Sequence, residues 1–197
     1  MTADMEEQGQ ATPPAPAPAG RGFFRDRLRQ AVIVLLGALV VGLYFGGLLR
    51  LPHPLEGMPA KTFKLVSLDG VETDMAAHLG KDAVLLDFWA VWCPPCRRSM
   101  PALAELHREF APQGLVVYAV NQGDSAEAVR AFLEKEGVDA PVLLDPDGVA
   151  GNRYGVTGIP QIVVINRQGL VSMVQAGYGF GTEWRIRRAV KKALAGG

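Results

Sequence analysis

The chain has two cysteines, Cys93 and Cys96, and only two prolines separate them. They follow an apolar run over 83–89 that predicts a buried strand, and they precede a helical pattern over 94–110. A disulfide across two residues closes almost no loop in the unfolded chain, so it adds little stability. We therefore expect the pair to be present for its reactivity.

The start of a helix is a favourable place for a reactive thiol. Unpaired N–H groups and a partial positive charge stabilise a thiolate there, and only the thiolate attacks a disulfide. The two intervening prolines suit the first helical turn, where their missing N–H groups break no helical bond. Cys93 is the predicted nucleophile and Cys96 the resolving thiol of a redox-active disulfide. Arg97 and Arg98 are expected to keep this neighbourhood electropositive.

Two other uses of paired cysteines fit the sequence less well. A zinc site needs two more ligands, and the three histidines, His53, His78 and His107, lack ligand spacing. A covalent haem site needs histidine directly after the second cysteine, where Arg97 stands. We predict no metal and no bound cofactor.

Strand-like and helix-like patterns alternate in the C-terminal part of the chain, which predicts an α/β fold. The runs 83–89 and 115–121 are apolar enough to be central strands covered on both faces. The other predicted elements are a hairpin over 62–68 and 71–73, a strand over 142–144, a hairpin over 162–166 and 170–175, and helices over 94–110, 125–136 and 182–194.

The N-terminal part predicts a membrane anchor. Residues 1–30 form a Pro- and Ala-rich disordered tail that ends in a basic cluster, and residues 31–49 carry no charge. A helix over those 19 residues spans roughly the ~30 Å core of a bilayer. A soluble core helix rarely avoids charge for so long, and a cleaved signal peptide would need an A-x-A-like site that is absent here.

Charge sets the expected orientation. Four arginines precede the run and Arg50 follows it, so the N-terminus is predicted to be cytoplasmic and the rest extracytoplasmic. Disulfide chemistry is tolerated there. Residues 50–59 are predicted to be a spacer and 60–197 the folded domain. The 20 basic residues balance the 20 acidic ones, which argues against a nucleic-acid partner.

The run 87–96 (DFWAVWCPPC) and the segment 158–160 (GIP) resemble the thioredoxin superfamily, specifically its membrane-anchored branch of TlpA/ResA-like and CcmG-like proteins. The resemblance covers about 60–197. It implies a thioredoxin-like fold with a central mixed sheet, flanking helices, an N-terminal β-hairpin and an inserted helix. One transmembrane helix would precede this domain. The resemblance also implies a cis-proline at Pro160, in a substrate groove formed by Trp92, Ile159 and Pro160.

The sequence departs from this branch at one acidic position. TlpA/ResA-like proteins commonly have asparagine six residues before the first cysteine and often an acid six after it, where this chain has Asp87 and Ser99. Asp87 resembles the buried aspartate of cytoplasmic thioredoxins. A carboxylate in an apolar strand is costly unless protonated or paired, which suits a proton acceptor with a raised pKa. A purely structural hydrogen bond is the alternative.

The resemblance implies a thiol-disulfide oxidoreductase that reduces extracytoplasmic client proteins, such as apocytochrome c or copper-site thiols. A membrane protein that relays electrons from cytoplasmic thioredoxin would be its donor. The same dithiol could instead form disulfides, since the direction depends on its reduction potential. A peroxidase fits less well, because peroxiredoxins place their reactive cysteine without a CxxC partner. A non-catalytic binding or chaperone module is the remaining alternative.

Overall fold

The computed structural model describes residues 21–45 and 52–196. The chain divides into two compact units between Leu51 and Pro52. In chain order the helices and strands are α1 (Arg21–Phe45), β1 (Lys64–Ser67), β2 (Glu72–Asp74), a 3-10 helix (Met75–His78), β3 (Ala83–Trp89), α2 (Pro94–Phe110), a 3-10 helix (Ala111–Gln113), β4 (Leu115–Asn121), α3 (Ala126–Glu136), β5 (Val142–Leu144), α4 (Val149–Arg153), β6 (Gln161–Ile165), β7 (Val171–Ala176) and α5 (Thr182–Leu194).

Helix α1 contains part of the predicted anchor. It begins at Arg21, within the predicted tail, and no proline interrupts the sequence from there to residue 45. Residues 46–49 of the anchor and 1–20 of the tail lie outside the described residues. Where the structure is described, it contains no helix of sufficient length and apolarity to span a membrane.

Seven strands form one mixed sheet in the order β2-β1-β5-β4-β3-β6-β7. Strand β3 pairs in parallel with β4 on one side and antiparallel with β6 on the other. Strand β1 pairs antiparallel with both β2 and β5, and β6 with β7. The predicted mixed sheet and its hairpins at both ends are thereby confirmed.

All seven residues of β3 are buried, because α2 and α5 cover one face of the sheet and residues of α4 and of the 3-10 helix Met75–His78 pack on the other. Alternate residues face opposite sides. Val84, Leu86 and Phe88 belong to a core cluster that includes Tyr154, the residue directly after α4. Leu85 faces the other side, in a cluster built from α2 and α5. Because side chains alternate, Asp87 points to this second side.

Helix α2 has the predicted bounds and positions the cysteines. It starts directly after the short turn that leaves β3, with Cys93 as its N-cap and proline at its first two positions. Buried residues recur every three or four positions along it, the periodicity of a helix with one apolar face. Those beyond Cys96 are Ser99, Met100, Leu103, Ala104, Leu106 and Phe110.

The segment assigned to a spacer contacts β7 in the structure. Gly57 N–H donates to the Val171 carbonyl at 2.8 Å, and the Glu56 carboxylate accepts from Val174 N–H at 2.9 Å. This pairing is not evident from the sequence, since proline and glycine in 52–59 predict an irregular segment. The second compact unit accordingly starts at Pro52.

Candidate active site

Cys93 and Cys96 form a disulfide at the N-terminus of α2, with their Cα atoms 5.3 Å apart. Cys93 is 2% exposed and Cys96 is fully buried. The outer position of Cys93 follows from its place before the first helical residue, whereas Cys96 lies inside the first turn. Cys93 is therefore the less deeply buried of the two cysteines.

Two backbone groups lie next to the Cys93 sulfur. Cys96 N–H donates a hydrogen bond to Cys93 Sγ at 3.3 Å. The carbonyl oxygen of Ile159 lies 3.7 Å from the same sulfur, a contact rather than a hydrogen bond because a disulfide sulfur carries no proton. The cysteine motif and the segment 158–160 therefore lie side by side in the fold, although Cys93 and Ile159 are 66 residues apart in the sequence.

The three predicted groove residues differ in their burial. The Ile159–Pro160 peptide bond is cis, as the resemblance implied. Pro160 is buried, Ile159 is half-buried and Trp92 is 69% exposed. Pro160 is further held by Gly177, whose N–H donates to the Pro160 carbonyl at 2.8 Å.

Asp87 lies in β3 with its side chain fully buried. Neither carboxylate oxygen has a hydrogen-bond partner among the described residues. Burial, which penalises the charged form, raises the pKa of Asp87 to about 8. Its charge is also felt nearby: the pKa of Tyr178 is raised, mainly by burial and then by Glu183 and Asp87. The carboxyl group is thus able to exchange a proton near neutral pH.

Asp124 holds the turn that leads to the cysteines, a role that the sequence alone does not reveal. Its carboxylate accepts from the backbone N–H of Val91 at 2.7 Å and from the Asn121 side chain at 2.8 Å. Asp124 N–H donates back to Asn121 Oδ1 at 3.0 Å. Asparagine at the last position of β4 and aspartate three residues later are a turn signal, but they do not reveal the contact with Val91.

Arg97 is less available to the cysteines than its position suggests. Its guanidinium pairs with Glu136 at 2.7 Å and stacks over the Phe132 ring, 5.7 Å from the centroid. Ser99, six residues after Cys93, donates its hydroxyl to the Cys96 carbonyl at 2.9 Å. The expected electropositive neighbourhood is therefore partly neutralised on the Arg97 side.

Two of the three histidines have hydrogen-bond partners away from the cysteines. His78 bonds Asp82 through Nδ1 and Tyr118 through Nε2, both at 2.9 Å. His53 accepts from the backbone N–H of Leu55. Within 21–45 and 52–196, no group of three or more His, Cys, Asp or Glu side chains is arranged to hold a metal ion.

Comparison with known proteins agrees with this geometry. A sequence model described as the AhpC/TSA family matches residues 57–174. The thiol-disulfide oxidoreductase ResA of Bacillus subtilis is 34% identical over 157 residues, which cover 80% of this chain and 86% of ResA. The thioredoxin-like protein YneN of the same organism is 36% identical over 125 residues, or 62% of this chain and 72% of YneN.

A solved structure shares the fold as well. The putative thiol:disulfide interchange protein DsbE from Chlorobium tepidum superposes with a TM-score of 0.66 at 30% identity. The match covers 71% of this chain and 97% of that protein. The thioredoxin-like fold predicted from the sequence is confirmed.

Proposed function

Because the chain belongs to the AhpC/TSA family and is a thiol-disulfide oxidoreductase, we propose that it reduces disulfide bonds of extracytoplasmic client proteins. The observation that favours reduction of clients over oxidation is the small number of N–H donors at the Cys93 sulfur. Among the described residues, one backbone N–H donates to this sulfur, and it belongs to Cys96. Pro94 and Pro95 occupy the first two helical positions and have no N–H to offer.

A strong disulfide-forming oxidant depends on a stabilised reduced form. An N-cap side chain normally accepts from the N–H of the second or third helical residue, and here the second is Pro95. The pairing of Arg97 with Glu136 also offsets one cation in the first turns of α2. A Cys93 thiolate is less stable when it has few hydrogen-bond donors and when the Arg97 charge is offset by Glu136. The dithiol is then a better electron donor.

The proposed reaction transfers two electrons from the dithiol to the client. The Cys93 thiolate attacks one client sulfur, which forms a mixed disulfide and releases the other client sulfur as a thiolate that takes a proton. Cys96 then loses its proton and attacks Cys93 Sγ. The products are the Cys93–Cys96 disulfide and a client with two thiols.

Asp87 is the proposed proton acceptor for Cys96. Two features support this role: its side chain points to the same side of the sheet as α2, and its buried carboxyl has a pKa raised to about 8. A base is most effective when its pKa lies close to the working pH. The groove of Trp92, Ile159 and Pro160 is proposed to hold the client segment beside Cys93.

We also propose that residues 31–49 tether the chain to a membrane, with the thioredoxin-like domain on the extracytoplasmic side. The support is the uncharged run and the four arginines that precede it. Apocytochrome c and copper-site proteins are suitable clients, and a membrane thiol relay is a suitable donor. A thiol reagent that does not cross membranes should label reduced Cys93 in intact cells, and protection of Cys93 would contradict this topology.

The reduction potential of the full-length chain, equilibrated with glutathione and dithiothreitol buffers, tests the proposed direction. We expect a value near or below ~−220 mV. A value near ~−120 mV would mean that the protein forms disulfides instead. Client binding that survives Cys93→Ser and Cys96→Ser, without redox activity, would favour a binding module.

Pro95→Ala tests the physical reason for that potential. The new N–H at the second helical position can donate to the Cys93 thiolate, and a hydrogen bond to a charged group contributes about 1.5–3 kcal/mol. Because 30 mV corresponds to about 1.4 kcal/mol, we expect the potential to rise by about 30 mV or more. Pro101→Ala, which adds an N–H in the helix interior, is the control and should leave the potential unchanged.

A further inference from the structure

Phe180 is 97% exposed, the highest value among large apolar residues in the described part of the chain. It lies in the loop 177–181 between β7 and α5. Two nearby residues anchor the loop: Tyr178 is half-buried against the core cluster of α2 and α5, and Thr182, the first residue of α5, is 2% exposed. Thr182 Oγ1 also accepts from Gly179 N–H at 3.1 Å. The fold thus holds Phe180 outward from an anchored loop.

The position of this loop makes the exposure informative, since a lone exposed apolar residue is otherwise ordinary. The first loop residue, Gly177, is hydrogen-bonded to the Pro160 carbonyl, and the neighbouring Ile159 carbonyl touches Cys93 Sγ. Phe180 is three residues further along. A second exposed aromatic residue, Trp92, directly precedes Cys93.

The disulfide-exchange reaction indicates which molecule contacts the exposed side chains of Phe180 and Trp92. A mixed disulfide holds the Cα atoms of its two cysteines about 4.4–6.8 Å apart, so the client backbone must come that close to Cys93. An extended chain advances about 3.3–3.6 Å per residue. Client residues on either side of the reacting cysteine therefore pass along the Ile159–Pro160 segment, to which the first residue of the Phe180 loop is hydrogen-bonded.

On the basis of the proposed function, we propose that Phe180 forms an apolar subsite for the client polypeptide. It selects disulfides whose cysteine is flanked, two or three residues away, by a large aliphatic or aromatic side chain. A lipid surface is the competing occupant of an exposed aromatic residue. A bilayer placed on this loop would obstruct the approach to Cys93, so the observations favour the client.

Two symmetric peptide disulfides serve as probes for this subsite. Each consists of two identical nine-residue peptides joined through a central cysteine, with either leucine or serine two and three positions on both sides. Either sulfur gives the same mixed disulfide, and one full turnover yields two peptide thiols and the Cys93–Cys96 disulfide. The assay uses the reduced full-length chain and substrate below saturation.

We expect the wild type to reduce the leucine peptide about tenfold faster than the serine peptide, as for a central apolar contact. Phe180→Ser should lower the rate for the leucine peptide to that for the serine peptide, while Phe180→Leu keeps the preference. Val71→Ser is the matched control, since Val71 is 63% exposed and directly precedes β2, at the opposite edge of the sheet from β7. The reduction potential should be the same in all four proteins.

An unchanged preference in Phe180→Ser, or an equal loss for both peptides, would overturn the proposal. Equal losses found only in phosphatidylglycerol vesicles, and not in detergent, would assign Phe180 to a lipid surface. Failure of the wild type to reduce either peptide would refute the proposed function itself, which is a different result.

Discussion

Asp87 and Asp145 are both buried, at 0% and 2% exposure, but they differ in the hydrogen-bond donors around them. Asp145 directly follows β5, and its carboxylate accepts from the backbone N–H groups of Ala150 and Gly151 and from the Gln122 side chain. These three bonds join the start of α4 to the loop after β4. Asp87, inside β3, receives no hydrogen bond from the described residues.

The difference separates a structural carboxylate from a chemical one. Buried polar groups are nearly always hydrogen-bonded, so the three donors give Asp145 an ordinary role in holding a turn. A carboxyl group without donors costs stability when it ionises. Such a carboxyl group at Asp87, on the side of the sheet that α2 covers, is explained if the group transfers protons.

The largest expected effect concerns the pH dependence of stability in the disulfide form. Between pH 3.8 and about 8, folded Asp87 keeps a proton that the unfolded chain releases. Rising pH therefore lowers the free energy of unfolding by up to about 1.4 kcal/mol per unit over this range, and adds nothing above it. Asp87→Asn should remove this slope and be more stable than wild type at pH 8. Urea unfolding at pH 5, 6, 7 and 8 measures it.

Asp145→Asn is the control for that measurement. It should be less stable than wild type but keep the wild-type slope, since Asp87 is unchanged. Equal slopes in wild type and Asp87→Asn would show that Asp87 is not protonated in the folded chain at pH 5.

The next effect is on the rate at which the mixed disulfide is resolved. Without a base for the Cys96 proton, Asp87→Asn should slow this step about 100-fold at pH 7, at the lower end of general-base effects. Stopped-flow release of the second client thiol measures the step. The difference should shrink at alkaline pH, where hydroxide removes the proton. A wild-type rate in Asp87→Asn at pH 7, or an equal loss in Asp145→Asn, would contradict the assigned role.

A smaller effect is expected on the hydrogen-bonded side of the comparison. Asp145→Asn replaces an acceptor oxygen by an NH2 group that faces N–H donors, so at least one buried group loses its partner. We expect a loss of about 1–3 kcal/mol in the free energy of unfolding. The reduction potential should remain that of the wild type, and a shift of that potential would show that this turn influences the disulfide.

The same comparison shows how much the sequence reveals. The strands β3 and β4 and the helix α2 have their predicted bounds, because long apolar runs and a proline-marked helix start are local signals. The burial of Asp87 was also expected, since six apolar residues surround it in β3. The burial of Asp145 was not, because the motif DPDG indicates a turn and turns are normally exposed.

Contacts between distant segments account for the rest. The bond from Val91 N–H to Asp124, and the pairing of the segment 52–59 with β7, depend on how the sheet brings separate loops together. Short elements such as α4, with five residues, are stabilised by such contacts rather than by their own periodicity. The cysteine motif could therefore be read from the chain, whereas the groups that hold it in place could not.

The smallest effect is expected from Gly151→Ala. Gly151 lies in α4 and belongs to the cluster of three donors around the Asp145 carboxylate. A methyl group there would overlap Gln122 Oε1, so the Gln122 side chain must move and its 3.0 Å bond to Asp145 is lost. The better helix propensity of alanine, about 1 kcal/mol, offsets much of that loss, and we expect a net change below about 1 kcal/mol. Because both changes remove the same bond, Gln122→Ala and Gly151→Ala should be non-additive in urea unfolding. Additive losses would place the effect of the methyl group outside this cluster.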